Sequence, residues 1–469
     1  MSDTILPEKI VSLPQTANGP KYKRVADTIQ SAIRSGDLAV GAKLPPVREL
    51  AWSLGITPGT VARAYTLLTD AGHVVAEVGR GTFVSGGAHK QFKPAKEYVS
   101  TAINDGKLSL VSPQLPDVGQ VAMLRQAFAE VGEINPERLL HYPTRNAYRP
   151  LREAAVHWLR NMQLGGLSES DVVLVHGAQN GLGVILQAIL RGPSPTILVE
   201  EMAYPGFRRA GDLLRANTVG LPCDKHGIVP DALERAIRDT LAQVLCTSPD
   251  VHNPTLGCTP TERRREIARA CRALDVQIIE DNCYSRTDSP ALSYRLLAPE
   301  RTWHVASLSK VLTPALRMGF AIAPRGRGPV LRQVAEHGFF GLAQPLAQVA
   351  ERILTDPEAE AVMDRVRNHM ARYVRTAVNA LGSFDLSWHE DVPFLWLNLP
   401  QGWRAAAFCR AAEMRDIQIR SAEEFALRDS RTPHAVRIAV NAHIPLDRFE
   451  GAMQQLRDLL QNPPEQISV

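Results

Sequence analysis

The stretch VASLSKVLTPALRMGFAIA, residues 305–323, decides how the second part of this chain is read. An apolar run ends at Lys310, with Ser307 three residues before the lysine and Arg317 seven after it. A second apolar run, MGFAIAP, follows at once. An isolated lysine is nearly always a solvated surface charge. A lysine carried at the end of a buried strand has lost its water, and desolvation beside other cations lowers its pKa. The freed amine can then form a Schiff base with an aldehyde. Ser307 adds a hydroxyl and Arg317 a planar five-donor fork, a pair suited to a phosphate.

An aldehyde that also bears a phosphate is pyridoxal 5'-phosphate (PLP), and the sequence upstream offers the remaining contacts it needs. IIEDNCYSR puts Asp281 at a strand end, where a carboxylate would keep a pyridine nitrogen protonated. Tyr284, three residues on, and Asn253 in SPDVHNPTLG can hydrogen-bond the ring's phenolic oxygen. HGAQNGL follows a strand and opens a helix, so the amides of Ala178 and Gln179 can meet a phosphate at the positive helix end. Tyr204 in EEMAYPGF can stack on the ring. Singly, Asp281 reads as a helix cap, Asn253-Pro254 as a turn and Tyr204 as core. Their order and spacing together carry the reading.

Around these motifs, helical patterns alternate with short runs apolar on both faces: DVVLVHG, TILVEE, AQVLCTSP, VQIIED, HVASLSK and MGFAIAP. Such runs predict parallel strands covered by helices, with ligands bound past the strand ends. From Pro345 onward, helices surround FLWLNLP and AVRIAVNA, which predicts a smaller α/β subdomain. The 469 residues are long for one domain. Six cysteines form no CxxC pair, the histidines form no metal motif, and no metal is expected. With no signal peptide and no apolar run of roughly 18 residues, the expected location is cytoplasmic.

The N-terminal part reads differently. Although the chain's formal net charge is only +4, residues 21–96 carry eleven Lys and Arg against five acids, so the basic excess faces an anionic partner there. Val25, Ile29 and Ile33 mark one amphipathic helix. PVRELAWSLG is a second, closed by Gly55. ITPGTVARAYTLLTDAG is a third, capped by Thr57 and stopped by Gly72. HVVAEVGRGTFVSG predicts a hairpin turning at Gly79-Arg80-Gly81. Three helices and a hairpin make a winged helix-turn-helix. We place a loose arm at 1–20, the winged helix at 21–85, a linker at 86–107 and the larger domain at 108–469.

The ordered set GAQ, AYPG, HNPT, EDNCY and SLSK…R resembles the fold-type I, class I aminotransferase family over about residues 108–460. The resemblance implies a mostly parallel central sheet with helices on both faces. It makes Lys310 the aldimine lysine, Asp281 the partner of the pyridine nitrogen, and Asn253 and Tyr284 the phenolate partners. Ala178, Gln179, Ser307 and Arg317 would hold the phosphate, and Tyr204 would stack. Tyr142 in LLHYPTRNAYRPLREA resembles the tyrosine that reaches a neighbouring subunit's phosphate, which implies a homodimer. Arg437 in AVRIAVNA resembles the arginine that grips an amino acid's carboxylate.

LPPVRELAWSLGI, TPGTVARAYTLL and GRGTFV resemble the GntR-type winged helix, which implies a double-stranded DNA operator as partner. The third helix would lie in the major groove, with Arg48, Thr57, Thr60 and Arg63 as phosphate or base contacts. Arg80 and Gly81 would form the wing tip. Joined to an aminotransferase-like domain, this is the layout of the MocR subfamily of regulators. The implied function is regulation by an amino-compound effector that forms an external aldimine at Lys310. The alternative is a working aminotransferase that carries a DNA-binding arm.

Overall fold

The computed structural model describes residues 20–70, 72–77, 81–85, 106–133, 140–288, 291–427, 430 and 432–463. They divide into two compact units, residues 1–102 and 103–469, each with its own core.

In the first unit, three helices precede a two-stranded hairpin: α1 Lys21–Arg34, α2 Val47–Ser53, α3 Pro58–Asp70, β1 Val74–Glu77 and β2 Gly81–Val84. Val25 and Ile29 of α1 bury against Leu50 of α2 and against Val61, Ala64 and Leu68 of α3. The i, i+3/i+4 spacing of these residues puts them on one helical face. Gly55 and Gly72 take positive φ values of 63° and 75° after α2 and near the end of α3, where a side chain would be strained. The buried Tyr65 hydroxyl donates to the Pro45 carbonyl at 2.8 Å, fixing α3 against the turn that leads into α2.

The second unit is built on a seven-stranded sheet: β3 Val172–Val175, β4 Thr196–Glu200, β5 Asn217–Leu221, β6 Val244–Thr247, β7 Gln277–Asp281, β8 Thr302–Ser307 and β9 Gly319–Ile322. Their spatial order is β3-β9-β8-β7-β6-β4-β5. Strands β4 to β8 pair in parallel, and β9 runs antiparallel to both β8 and β3. The expectation of a parallel strand for MGFAIAP is therefore corrected. Only nine residues separate Lys310 from Phe320, too few for the crossover that a parallel return requires. Strand β5 was not foreseen, because NTVGL sits at the sheet edge and lacks the doubly apolar pattern of a central strand.

One face of the sheet packs Ile197, Val199, Cys246, Ile279 and Val305 against α4, Gly177–Ile189, among others. The opposite face packs Leu198, Leu245 and Ile278 against the helices Pro230–Thr240 and Thr261–Ala273. A smaller four-stranded antiparallel sheet holds β10, Phe394–Asn398, beside β11, Ala435–Ala439. The smaller subdomain also takes in residues upstream of Pro345. Leu108–Ser109 pairs in parallel with Ile417–Gln418, and the Gln114 amide donates to the Val440 carbonyl at 3.0 Å. Among the described residues, no helix is long and apolar enough to cross a membrane.

Candidate functional site

Strand β7 ends on Asp281, and the chain turns at once: the Cys283 amide donates to Asp281 Oδ1 at 3.0 Å. Burial pushes the Asp281 carboxyl above its ordinary value, while hydrogen bonds from Cys283 and, to a lesser extent, the charge of the nearby His304 act against that rise. The Tyr284 ring stands edge-on to Phe394 of β10, with centroids 5.1 Å apart. Lys310 closes the short turn Leu308–Lys310 directly after β8, and its Nζ lies 5.8 Å from the centre of the Tyr284 ring.

Arg437 reaches the same aromatic pair from β11. Its guanidinium carbon is 5.1 Å from the Phe394 ring centre and 4.8 Å from that of Phe425. Nη1 donates to Asn253 Oδ1 at 2.6 Å and Nη2 to the Val111 carbonyl at 2.8 Å, while Nε, buried, has no partner among the described residues. At 6 % exposure the loss of water pulls this guanidinium down to about 10, opposed chiefly by Tyr284. Arg437 is thus a cation at neutral pH held under aromatic walls with an unused donor, which is a receptor for an anion.

A second cluster forms where β9 meets the start of α4. A Cβ on Gly177 would lie 3.0 Å from Arg317 Nη2, and one on Gly319 would lie 2.7 Å from the Gly177 carbonyl carbon. The two glycines therefore let guanidinium and helix start approach each other. Ala178 and Gln179 lie in the first turn of α4, whose amides have no carbonyl partner within the helix. Burial and the Arg317 charge both lower the His176 pKa beside them. A positive helix end meeting a guanidinium is an anion site.

Two of the predicted residues also make contacts within the chain that the sequence did not suggest. The Ser307 hydroxyl turns into its own loop, where it lies 3.2 Å from the Met318 carbonyl and 3.0 Å from Ser309 Oγ, with one proton to give, and accepts from the Ser309 amide. The Gln179 side chain braces Tyr204: its Oε1 accepts from the Tyr204 hydroxyl at 3.0 Å, and its Nε2 donates to the Gly206 carbonyl at 3.0 Å. Burial raises the Tyr204 phenol above its ordinary value, and Asp281 adds to the rise. Tyr142 is 89 % exposed, with its ring 6.4 Å from the exposed Phe340.

In the first unit, Arg48, Thr57 and Arg63 are exposed, and Thr60 is half-buried. The Thr57 and Thr60 hydroxyls pair at 2.9 Å at the start of α3. Arg63 is not a free solvated charge: its guanidinium carbon stacks 4.3 Å from the centre of the Tyr22 ring. Gly81 has φ 118°, and a Cβ there would lie 2.7 Å from Lys43 Cε. Arg80, predicted at the wing tip, lies outside the described residues.

Residues 111–456 match the pattern of the family described as aminotransferase class I and II, and residues 21–84 match that of bacterial regulatory proteins, gntR family. The chain belongs to the aminotransferase class I and II family. Its fusion to a GntR-type domain gives it the MocR layout. It is 28% identical over 450 residues to the uncharacterized HTH-type transcriptional regulator YdeF of Bacillus subtilis (strain 168), covering 95% of each chain. It is 29% identical to the HTH-type pyridoxine biosynthesis transcriptional regulator PdxR of Corynebacterium glutamicum, covering 75% of this chain and 76% of that one. An archaeal alanine:glyoxylate aminotransferase shares the fold at a TM-score of 0.66 and 21% identity, covering 76% of this chain and 91% of its own.

The aminotransferase fold implies PLP dependence, and the residues present fit that group. They combine an amine, a strand-end carboxylate, an anion site cleared by Gly177 and Gly319, and a buried guanidinium with one donor unused. Reading the sequence passed over three contributors to this aminotransferase-type site. Phe394 and Phe425 wall Arg437, and Val111 supplies a carbonyl to it from more than 300 residues upstream. Phe394 was visible in FLWLNLP as a strand residue, whereas no local signal ties Val111 to Arg437.

Proposed function

We propose that this chain is a transcriptional regulator that binds operator DNA through residues 21–85 and carries PLP on Lys310, where it senses an amino compound. One observation carries the reading. Lys310, able to hold an aldehyde, and Arg437, able to hold an acid group, flank one touching pair of rings, Tyr284 and Phe394. An effector with an amine and a carboxylate or sulfonate would engage both.

When bound, PLP supplies an aldehyde that condenses with amines, releasing water, and a ring that withdraws electrons. Asp281 would hold the proton on the ring nitrogen, Tyr284 and Asn253 would hydrogen-bond the phenolic oxygen, and Tyr204 would stack on the ring. Arg317, Ser307 and the amides of Ala178 and Gln179 would hold the phosphate. Tyr142 reaches the phosphate of a second copy, making the working unit a homodimer. The effector acts by binding one arrangement of the dimer more tightly than another, which is what any shift in DNA affinity requires.

The second reading, a working aminotransferase, is favoured by the same cluster, because Lys310 once released can accept and return a proton. A third reading makes PLP itself the effector; the relative whose name concerns pyridoxine biosynthesis supports it. Titrating amino acids into the PLP-loaded chain while following cofactor absorbance and retardation of its own upstream DNA separates the three. The proposal expects an amino acid that changes both signals with slow or no turnover. Rapid multiple turnover with a keto acid and no DNA retardation would establish the enzyme instead, and a DNA response to PLP alone the third reading. Lys310→Ala is expected to remove the cofactor label trapped by borohydride, checked by peptide mass; a label on another lysine would overturn the assignment.

A further inference from the structure

The sheet face opposite Asp281 carries a row of polar side chains that the reading above does not use. His304, Glu280, Thr247 and Glu200 stand near the ends of the neighbouring strands β8, β7, β6 and β4, each at most 4 % exposed. Register sets Glu280 opposite both His304 and Thr247, and the Thr247 hydroxyl donates to Glu200 Oε1. Successive strand residues point to opposite faces, so Glu280 lies beneath the sheet while Asp281 lies above it.

Glu280 is held at both oxygens. His304 Nδ1 lies 3.2 Å from Oε2, and Oε1 accepts from the Tyr294 amide at 3.1 Å, with Arg264 Nη1 3.7 Å away. His304 Nε2 meets no partner among the described residues. Arg264 is itself wholly buried. It donates to the Thr259 carbonyl at 2.8 Å, the Pro249 carbonyl at 3.0 Å and Asp250 Oδ1 at 2.7 Å. A guanidinium at zero exposure is tolerated only when its donors are used, and the same planar fork then fixes the groups it joins.

The groups it joins are the chain segments that present the two candidate ring partners. Pro249 and Asp250 lead into Asn253, and Glu280 precedes Asp281. We infer that Arg264 and Glu280 are positioning residues, and that their buried pair sets the separation of Asp281 from Asn253 across the cofactor ring. This inference rests on the PLP site proposed above. A pair that served stability alone would be replaceable by apolar side chains without consequence at the ring, since such replacements of buried ion pairs are often neutral for folding.

The test compares the full chain with Glu280→Gln, Arg264→Lys and the double variant Arg264→Met/Glu280→Met. Thermal unfolding, PLP affinity and the pH dependence of bound-cofactor absorbance are read for each. Expected is a roughly tenfold loss of PLP affinity, equivalent to about 1.4 kcal/mol of misplaced contact, and a displaced absorbance midpoint in variants that melt as the parent does. Parent-like affinity and midpoint in a folded variant would overturn the inference. If the double variant fails to fold, the near-isosteric Glu280→Gln decides by the same two readouts. Failure of the unmodified chain to bind PLP would instead sink the site reading, and this inference with it.

Discussion

At the residue scale, the site depends on side chains whose roles are set by what surrounds them. Arg437 can receive an anion because Phe394 and Phe425 crowd it while Asn253 and Val111 occupy only part of its fork. Arg63 is steered by Tyr22 rather than left to search, and stacking of this kind costs little entropy once a DNA contact forms. If its side chain reads a base, Arg63→Ala is expected to weaken operator binding by about 1–3 kcal/mol. Tyr22→Ala, which keeps the charge and removes the stack, should cost about 0.5–1 kcal/mol. Fluorescence anisotropy over a salt series checks both, and equal affinities for all three proteins would move the recognition face elsewhere. The chemical types at Lys310, Asp281 and Arg317 were legible in the sequence because motif spacing carries them. The inward turn of Ser307 was not, since it depends on the Met318 carbonyl returning beside it.

At the element scale, close approach and clasps decide the geometry. Strand β9 can pass the start of α4 only because Gly319 has no side chain. Gly319→Ala is expected to cost roughly 1–3 kcal/mol through overpacking against the Gly177 backbone and to weaken PLP binding with it. Urea unfolding and cofactor titration measure the two effects, and unchanged values in both would show that the helix start yields freely. A clasp joins the turn after Tyr284 to the turn before β10. Arg286 donates to Asp288 at 3.0 and 3.1 Å, His389 Nε2 lies 3.2 Å from Asp288, and Thr287 donates twice to Asp391, at 2.8 and 2.6 Å. The hydrogen bond from Arg286, with a lesser one from His389, holds the Asp288 carboxyl down at about 2. Because the folded value is depressed, this contribution is complete above the ordinary carboxylate range and is lost as pH falls through about 2. Arg286→Ala is expected to move acid unfolding, followed by circular dichroism, to higher pH. No movement would show that the clasp, exposed as Asp288 is, adds nothing measurable.

At the scale of the whole molecule, two cores on one chain predict two cooperative unfolding steps. A ligand that binds only the native form of one unit stabilises that unit, by about 2.7 kcal/mol at a hundred times its dissociation constant. Calorimetry with added PLP is therefore expected to raise the transition of residues 103–469 and leave that of the winged helix in place; a shift of both together would mean that the units unfold as one. The sequence by itself determined the two-part layout, the fold class and most of the covered strands. Runs apolar on both faces can only be covered strands, and the glycines at 55 and 72 mark where helices stop, because these signals act over a few residues. It could not determine that β9 would return antiparallel, that residues 108–114 would pair with segments around 417–418 and 440–441, or that Arg264 would tie Glu280 to the approach to Asn253. Those are contacts between distant segments, and only the packing of the folded chain pays the entropy of bringing them together.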